Sequence, residues 1–206
     1  MKLKKTVKED FFNLPNTITL ARICLIPITL FLMACESPVN CFWATVIFAF
    51  ASSTDFVDGW IARHYNLITI TGKFMDPLAD KLIVMSTLIM LITLGRVPAW
   101  VVILLLTREL AVTSLRALAA GEGIVMAAGQ EGKWKAALQM AGIVGLILYY
   151  PYDINFFLFT ARFHFYEIGL ILLYASLFFS MLSMVKYLRW FAQEADRIHQ
   201  EAKAKR

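Results

Sequence analysis

Six long apolar stretches constrain what this chain can fold into more than any other feature. Five of them have about 20 mostly apolar residues, the length that an α-helix needs to cross the hydrocarbon core of a bilayer, and the fifth along the chain is shorter. The chain is 59% hydrophobic and 17% charged, whereas soluble domains are about 45–50% apolar and about 25% charged. We therefore predict an all-α integral membrane protein with six transmembrane helices in one domain, residues 1–206. The predicted spans are 14–34, 41–61, 74–94, 99–118, 135–150 and 166–187.

The basic residues predict which ends of the helices face the cytoplasm, because Lys and Arg concentrate in cytoplasmic loops. In the loops on the opposite side, Arg96 and Arg162 are the only Lys or Arg residues. Arg162 belongs to segment 151–165, which contains turn-forming residues. Both termini are therefore predicted to be cytoplasmic, with residues 1–12 and 188–203 as short charged helical segments. The basic residues on this side are Lys2, Lys4, Lys5, Lys8, Arg63, Lys73, Arg116, Lys133, Lys135, Lys186, Arg189, Arg197, Lys203, Lys205 and Arg206.

Four carboxylates fall inside the predicted spans, where each costs at least about 2.5 kcal/mol at the bilayer centre. Asp55 and Asp58 are three residues apart in the second span, and Asp76 and Asp80 are four apart in the third. Each pair therefore lies on one face of its helix. A short cytoplasmic loop joins these spans, so we expect antiparallel neighbours whose four carboxylates meet just beneath the cytoplasmic surface.

Divalent cations would explain why four carboxylates are tolerated so close together. Oxygen ligands favour hard ions such as Mg²⁺ or Mn²⁺, and two ions held by shared carboxylates can clamp both oxygens of a phosphoryl displacement. The cysteines, Cys24, Cys35 and Cys41, lie in or beside apolar runs, and we interpret them as packing residues. An alternative is the proton or cation path of a transporter. A purely structural scaffold would leave the carboxylates unexplained.

Small residues surround these carboxylates in the sequence. Gly59, Ala62 and Gly72 each lie within one helical turn of an Asp, which leaves room for a flat ligand against the backbone or for close helix packing. Arg63 has a planar guanidinium that suits phosphate oxygens, although it could equally be a topological anchor.

The combined pattern resembles the signature of the CDP-alcohol phosphotransferase family at eight positions over 26 residues. It reads Asp55-x2-Asp58-Gly59-x2-Ala62-Arg63-x8-Gly72-x3-Asp76-x3-Asp80. Residues 13–22, 76–81, 107–109 and 132–135 also resemble bacterial family members whose acceptor is glycerol 3-phosphate. The resemblance implies six transmembrane helices, a cytoplasm-facing cavity and a homodimer. We also expect the protein to lie in the bacterial cytoplasmic membrane and to have no nucleic-acid partner.

The resemblance also implies a role for each motif residue. Asp55, Asp58 and Asp76 would hold one divalent metal, and Asp55, Asp76 and Asp80 would hold or face a second. Asp80 would be the general base that takes the proton from the acceptor hydroxyl, and CMP would leave. The residues expected to contact CDP-diacylglycerol are Asn16, Thr19, Asp58, Gly59, Ala62, Arg63 and Gly72.

Several cations at the predicted cytoplasmic level suit an acceptor that carries a phosphate. Glycerol 3-phosphate fits best, with serine, an inositol phosphate or phosphatidylglycerol as alternatives. Arg108 lies within the fourth span, and we expect its neighbour Glu109 on another helix face. Arg108 would then point at the cavity while Glu109 orients another cation; the alternative is a structural ion pair. The predicted acceptor residues are Arg22, Lys81, Arg108, Lys133 and Lys135.

Overall fold

The fold is helical, as predicted, in a computed structural model that describes residues 14–64, 70–121, 130–156 and 159–204. Within these ranges the side chains of some residues, including most of the carboxylate motif, are not described. The described elements are α1 Leu14–Ala34, α2 Pro38–His64, α3 Ile70–Thr93, α4 Ala99–Gly121, α5 Gln130–Leu148, β1 Pro151–Phe156, β2 Phe159–His164 and α6 Phe165–Ala204.

Each predicted span coincides with one helix, and local chemistry fixes several of the helix ends. Pro15 lies in the first turn of α1, where a missing N–H costs no helical bond. The hydroxyl of Ser37 accepts a hydrogen bond from the backbone N–H of Asn40 at 3.2 Å and caps α2. Gly95 follows α3 with a φ of 66°, a left-handed conformation that glycine adopts without steric cost.

The segment after α5 is a β-hairpin, whereas only a turn was predicted. β1 and β2 pair antiparallel, from Pro151 opposite His164 to Phe156 opposite Phe159. The hydroxyl of Tyr152 donates to the carbonyl oxygen of Pro38 at 2.8 Å. Burial, and then the nearby Cys41, raises the pKa of Tyr152 above its ordinary value of 10.0, so this hydroxyl keeps its proton at neutral pH.

Helix α6 is the longest element, with 40 residues, or about 60 Å at the usual helical rise. Its segment Phe165–Glu194 has a mean hydropathy of 2.2. Among the described helices, α6 alone contains a segment that is long and apolar enough to cross a bilayer. Residues 188–203 continue α6 without a break, whereas residues 1–12 lie outside the described part of the chain. The count of six spans therefore stays a prediction.

Large apolar side chains are exposed on the helix surfaces. Phe31 is 69% exposed and Ile171 is 68% exposed, which is costly in water but natural against lipid tails. Cys41 is buried as predicted, but Cys24 and Cys35 are exposed, so the packing interpretation is wrong for those two. Cys24 lies on an exposed face of α1 and Cys35 directly follows that helix, so neither thiol is enclosed by the described part of the chain.

The chain divides into two compact units. The first comprises Met1–Arg96 and Ile143–Glu167, and the second comprises Val97–Gly142 and Ile168–Arg206. In the first unit α1 packs against both α2 and α3, and α2 also contacts α3. In the second unit α5 approaches α6 at Gly142, where an added Cβ would lie 2.9 Å from a backbone nitrogen of α6.

A buried arginine organises one end of the first unit. Arg96 is 1% exposed, and its Nη1 donates to the carbonyl oxygens of Leu146 at 3.2 Å and Ile147 at 3.0 Å. Its Nη2 contacts the sulfur of Cys41 at 3.5 Å, and its guanidinium lies 4.2 Å from the ring centroid of Tyr149. Arg96 therefore caps carbonyl groups that the end of α5 leaves without helical partners.

Candidate active site

The backbone places the four carboxylates of the predicted metal site at matching distances from the α2–α3 connection. Asp58 and Asp76 each lie about 9 Å along their helices from the ends that residues 65–69 join, and Asp55 and Asp80 lie about 14–15 Å from them, at 1.5 Å per residue. These two helices are in contact in the first unit. On an antiparallel pair, Asp58 would therefore be level with Asp76, and Asp55 with Asp80.

Only Asp80 of these four has a described side chain, and it is half-buried on α3. Among the described side chains, no three His, Cys, Asp or Glu groups come together as metal ligands; Asp55, Asp58 and Asp76 lie outside that set. Their convergence stays a prediction.

The other residues of the predicted nucleotide site lie on the same elements. Of these, Thr19 is fully buried on α1, while the others have only their backbone positions described. Asn16 lies in the first turn of α1, and Gly72 in the first turn of α3. Gly59, Ala62 and Arg63 occupy the last turns of α2.

Arg22 lies beside the carboxylate motif in the first unit. Its side chain is buried, and Nη2 donates to Oγ1 of Thr54 at 3.4 Å. Thr54 immediately precedes Asp55 on α2, and its own hydroxyl donates to the carbonyl of Ala51 at 2.7 Å. The structure thus brings Arg22 to the depth of the first carboxylate, while its role toward the acceptor stays a prediction.

A groove of about 330 Å³ lies next to this contact, between α1 and α2. Sequence reasoning missed it, although two stripes with a spacing of four residues mark it: 17, 21 and 25 on α1, and 50 and 54 on α2. Its walls are formed almost entirely by apolar atoms, although three of the six lining residues are polar. The lining residues are Thr17, Ala21, Arg22, Leu25, Phe50 and Thr54.

In the second unit, two predicted acceptor cations meet on one carboxylate oxygen. Nη1 of Arg108 donates to Oε2 of Glu109 at 3.2 Å, and the ammonium of Lys135 donates to the same oxygen. Nε of Arg108 donates to the carbonyl of Ser180 at 3.1 Å, and Nη2 to the hydroxyl of Ser183 at 3.1 Å. Arg108 therefore ties α4 to α6, and Glu109 ties α4 to α5.

This geometry differs from the expectation that Glu109 would lie away from Arg108. Both side chains are long enough to bend toward one point although their Cα atoms are adjacent. Glu109 does contact a second cation, as predicted, and that cation is Lys135. The role of α6 was missed; its signal is the series of small polar residues Ser176, Ser180 and Ser183 in an apolar span, all of them buried.

The remaining acceptor candidates are divided between the two units. Lys81 follows Asp80 on α3 and is half-buried, in the same unit as Arg22. Lys133 lies in the first turn of α5 and belongs to the unit of Arg108 and Lys135, but its side chain is not described. The convergence of all five cations on one phosphate stays a prediction.

Comparison with known proteins identifies clear relatives. The family described as CDP-alcohol phosphatidyltransferase matches residues 12–182. A Bacillus subtilis protein named CDP-diacylglycerol–glycerol-3-phosphate 3-phosphatidyltransferase is 42% identical over 189 residues, covering 85% of this chain and 93% of the relative. Proteins of the same name from Rickettsia bellii and Haemophilus influenzae are 40% identical over 136 residues (66% and 75% coverage) and 33% identical over 186 residues (86% and 92%).

Proposed function

Because this chain belongs to the CDP-alcohol phosphatidyltransferase family, we propose that it transfers the phosphatidyl group of CDP-diacylglycerol to sn-glycerol 3-phosphate. The products are phosphatidylglycerol phosphate and CMP. The observation that carries this proposal is the 42% identity to the Bacillus subtilis relative, which extends over 93% of that protein and whose name specifies both substrates.

The carboxylate motif fits the divalent metal ions that the family uses. Its donors would all be carboxylate oxygens, from residues at similar distances along two contacting helices from the segment that joins them. Asp55, Asp58, Asp76 and Asp80 would hold the metal, which we take to be two ions of Mg²⁺ or Mn²⁺. Bound there, the metal would neutralise charge on the pyrophosphate and on the departing CMP.

Asp80 is the proposed general base. In this reaction the acceptor hydroxyl oxygen forms a bond to the phosphorus that carries the lipid, the bond from that phosphorus to the CMP oxygen breaks, and the hydroxyl proton passes to the carboxylate of Asp80. Asp80 is half-buried on α3, which is consistent with contact between its carboxylate and a substrate.

The nucleotide end of the donor would lie against the small residues of the motif. Gly59, Ala62 and Gly72 would leave room for the cytidine, and Arg63 would pair with a phosphate. Asn16 and Thr19 on α1 would face the nucleotide, which is consistent with the packing of α1 against both α2 and α3.

The phosphate of the acceptor would be held by Arg22, Lys81, Arg108, Lys133 and Lys135. Three of the five N–H groups of Arg108 donate to Ser180, Ser183 and Glu109. One N–H on each terminal nitrogen has no partner among the described residues, and these two are the donors that would bind a phosphate oxygen.

We further propose a six-span topology in the bacterial cytoplasmic membrane, with both termini and the active site facing the cytoplasm, and a homodimer. The biased distribution of Lys and Arg supports the orientation. The exposed apolar side chains of α1, α2, α4 and α6 support contact with lipid or with a second copy.

An acceptor screen tests the function. Purified protein is given CDP-diacylglycerol with glycerol 3-phosphate, serine, an inositol phosphate or phosphatidylglycerol, and CMP and the lipid product are measured by mass spectrometry. We expect product only with glycerol 3-phosphate, none in EDTA, and recovery with Mg²⁺ or Mn²⁺. Product from another acceptor, or CMP release that persists in EDTA, would contradict the proposal.

A further inference from the structure

A carboxylate holds the lysine of the proposed acceptor pocket in place. The ammonium of Lys135, on α5, donates to Oε2 of Glu109 on α4. Arg108 shares that oxygen, but it is also fixed by hydrogen bonds to Ser180 and Ser183 on α6. Loss of the carboxylate would therefore leave Arg108 anchored to α6, whereas Lys135 would lose its ion pair with α4.

Burial makes this arrangement depend on the negative charge of Glu109. The side chains of Arg108 and Lys135 are only 6% and 9% exposed, and that of Glu109 is 32% exposed. Two cations so close together repel strongly where water is scarce, and the carboxylate between them offsets that repulsion. Lysine carries its charge on a flexible four-carbon stem, so loss of the ion pair with Glu109 would let the ammonium of Lys135 shift from its present position.

We propose that Glu109 is a positioning residue that aims the Lys135 ammonium at the acceptor phosphate, and so sets the affinity for glycerol 3-phosphate without touching the substrate. This inference rests on the proposed function, because it takes Lys135 as an acceptor ligand. In this proposal Glu109 acts through Lys135, so its effect on the KM for glycerol 3-phosphate requires the lysine to be present.

Steady-state kinetics of the full-length protein in detergent micelles test this positioning role. Glu109→Gln keeps the shape of the side chain but removes its charge. We expect the KM for glycerol 3-phosphate to rise about tenfold or more, while the KM for CDP-diacylglycerol stays within about twofold. If Glu109→Gln does not fold, Glu109→Asp carries the same test, because its carboxylate is withdrawn by one methylene and must also raise that KM.

A double-mutant cycle shows whether Glu109 acts through Lys135. Lys135→Met alone should raise the KM for glycerol 3-phosphate, and adding Glu109→Gln to it should raise the KM no further. The matched control is Glu194→Gln, which breaks an ion pair with Arg197 on α6 and should leave both KM values unchanged.

The outcomes are distinct. An unchanged or lowered KM in Glu109→Gln, or effects that multiply in the double variant, would overturn the positioning role. So would a lower thermal midpoint with both KM values unchanged, which is the signature of a purely structural pair. If the wild-type protein releases no CMP with glycerol 3-phosphate, the proposed function itself fails, and this is seen before any variant is made.

Discussion

The guanidinium of Arg96 donates to the carbonyl oxygen of Ile147 at 3.0 Å, where α5 ends. The positive charge lies at the C-terminus of a helix, where the helix dipole favours it. This cation was predicted only as one of two basic residues on the outer side of the membrane. Its burial and hydrogen bonds show that it stabilises the junction of α5 with the start of α2, through its contact with Cys41.

Arg96→Met should therefore destabilise the protein without affecting substrate binding. The carbonyl oxygens of Leu146 and Ile147 would lose a charged donor, which costs about 1–3 kcal/mol, and the thermal midpoint should fall by about 5 °C. Arg162→Met is the control, because Arg162 is an exposed cation in the hairpin whose contact with Asp153 is long, at 3.8 Å. Equal midpoints for the two variants would contradict the capping role.

The close approach of α5 to α6 gives a second stability prediction. At Gly142 a Cβ would lie 2.9 Å from the backbone nitrogen of Leu173 and 3.1 Å from the carbonyl oxygen of Gly169. Backbone atoms cannot move aside as a flexible side chain does, so Gly142→Ala should force the helices apart and lower the thermal midpoint by several degrees, since overpacking costs about 1–3 kcal/mol.

Gly132→Ala is the matched control on the same helix, because nothing lies within 4 Å of its added Cβ. There alanine should leave the midpoint unchanged or raise it slightly, since alanine favours helix more than glycine does. If Gly142→Ala has the same thermal midpoint as the wild-type protein, the backbones of α5 and α6 are not in close contact at this position.

Helix positions were predictable from the sequence because a helix that crosses a bilayer needs a long apolar run and forms all its backbone hydrogen bonds within itself. The hairpin was missed although the sequence marks it, because Tyr152, Ile154 and Phe156 alternate with Asp153 and Asn155 at the period of two that is typical of a strand. The same residues Asp153 and Asn155, with Pro151, were interpreted as a turn instead. The continuation of α6 through residues 188–203 was also missed as a single element, because charged residues there ended the apolar pattern without ending the helix.

In the candidate site, too, some features could be predicted from the sequence and others could not. Spacing within one helix predicted which carboxylates share a face, because helical geometry fixes neighbours three and four residues apart. Contacts between helices were not encoded in spacing: the ties from Arg108 to Ser180 and Ser183 join residues more than 70 positions apart. The assumption that adjacent residues do not meet failed for Arg108 and Glu109, because long side chains reach across helix faces.

Arg108→Ala is expected chiefly to raise the KM for glycerol 3-phosphate, about tenfold, by removing a charged phosphate donor. The contacts of Arg108 with α6 predict some loss of thermal stability as well. Arg116→Ala is the control on the same helix, since Arg116 is exposed and stacks on the ring of Tyr187 at 5.0 Å. If only stability is lost and the KM is unchanged, Arg108 is a structural tie and not an acceptor ligand.

Measuring turnover and Mn²⁺ binding in one variant, Asp80→Asn, tests whether Asp80 is a general base or a metal ligand. Asp80→Asn keeps the size of the side chain but removes the oxygen that takes the proton, so turnover should become undetectable in an assay of CMP release. Asp55, Asp58 and Asp76 remain, so Mn²⁺ should still bind at least in part, measured by electron paramagnetic resonance. Asp153→Asn, an exposed carboxylate in the hairpin, should retain full turnover. Near-normal turnover in Asp80→Asn would remove Asp80 from the base role, and complete loss of Mn²⁺ binding would make it primarily a metal ligand.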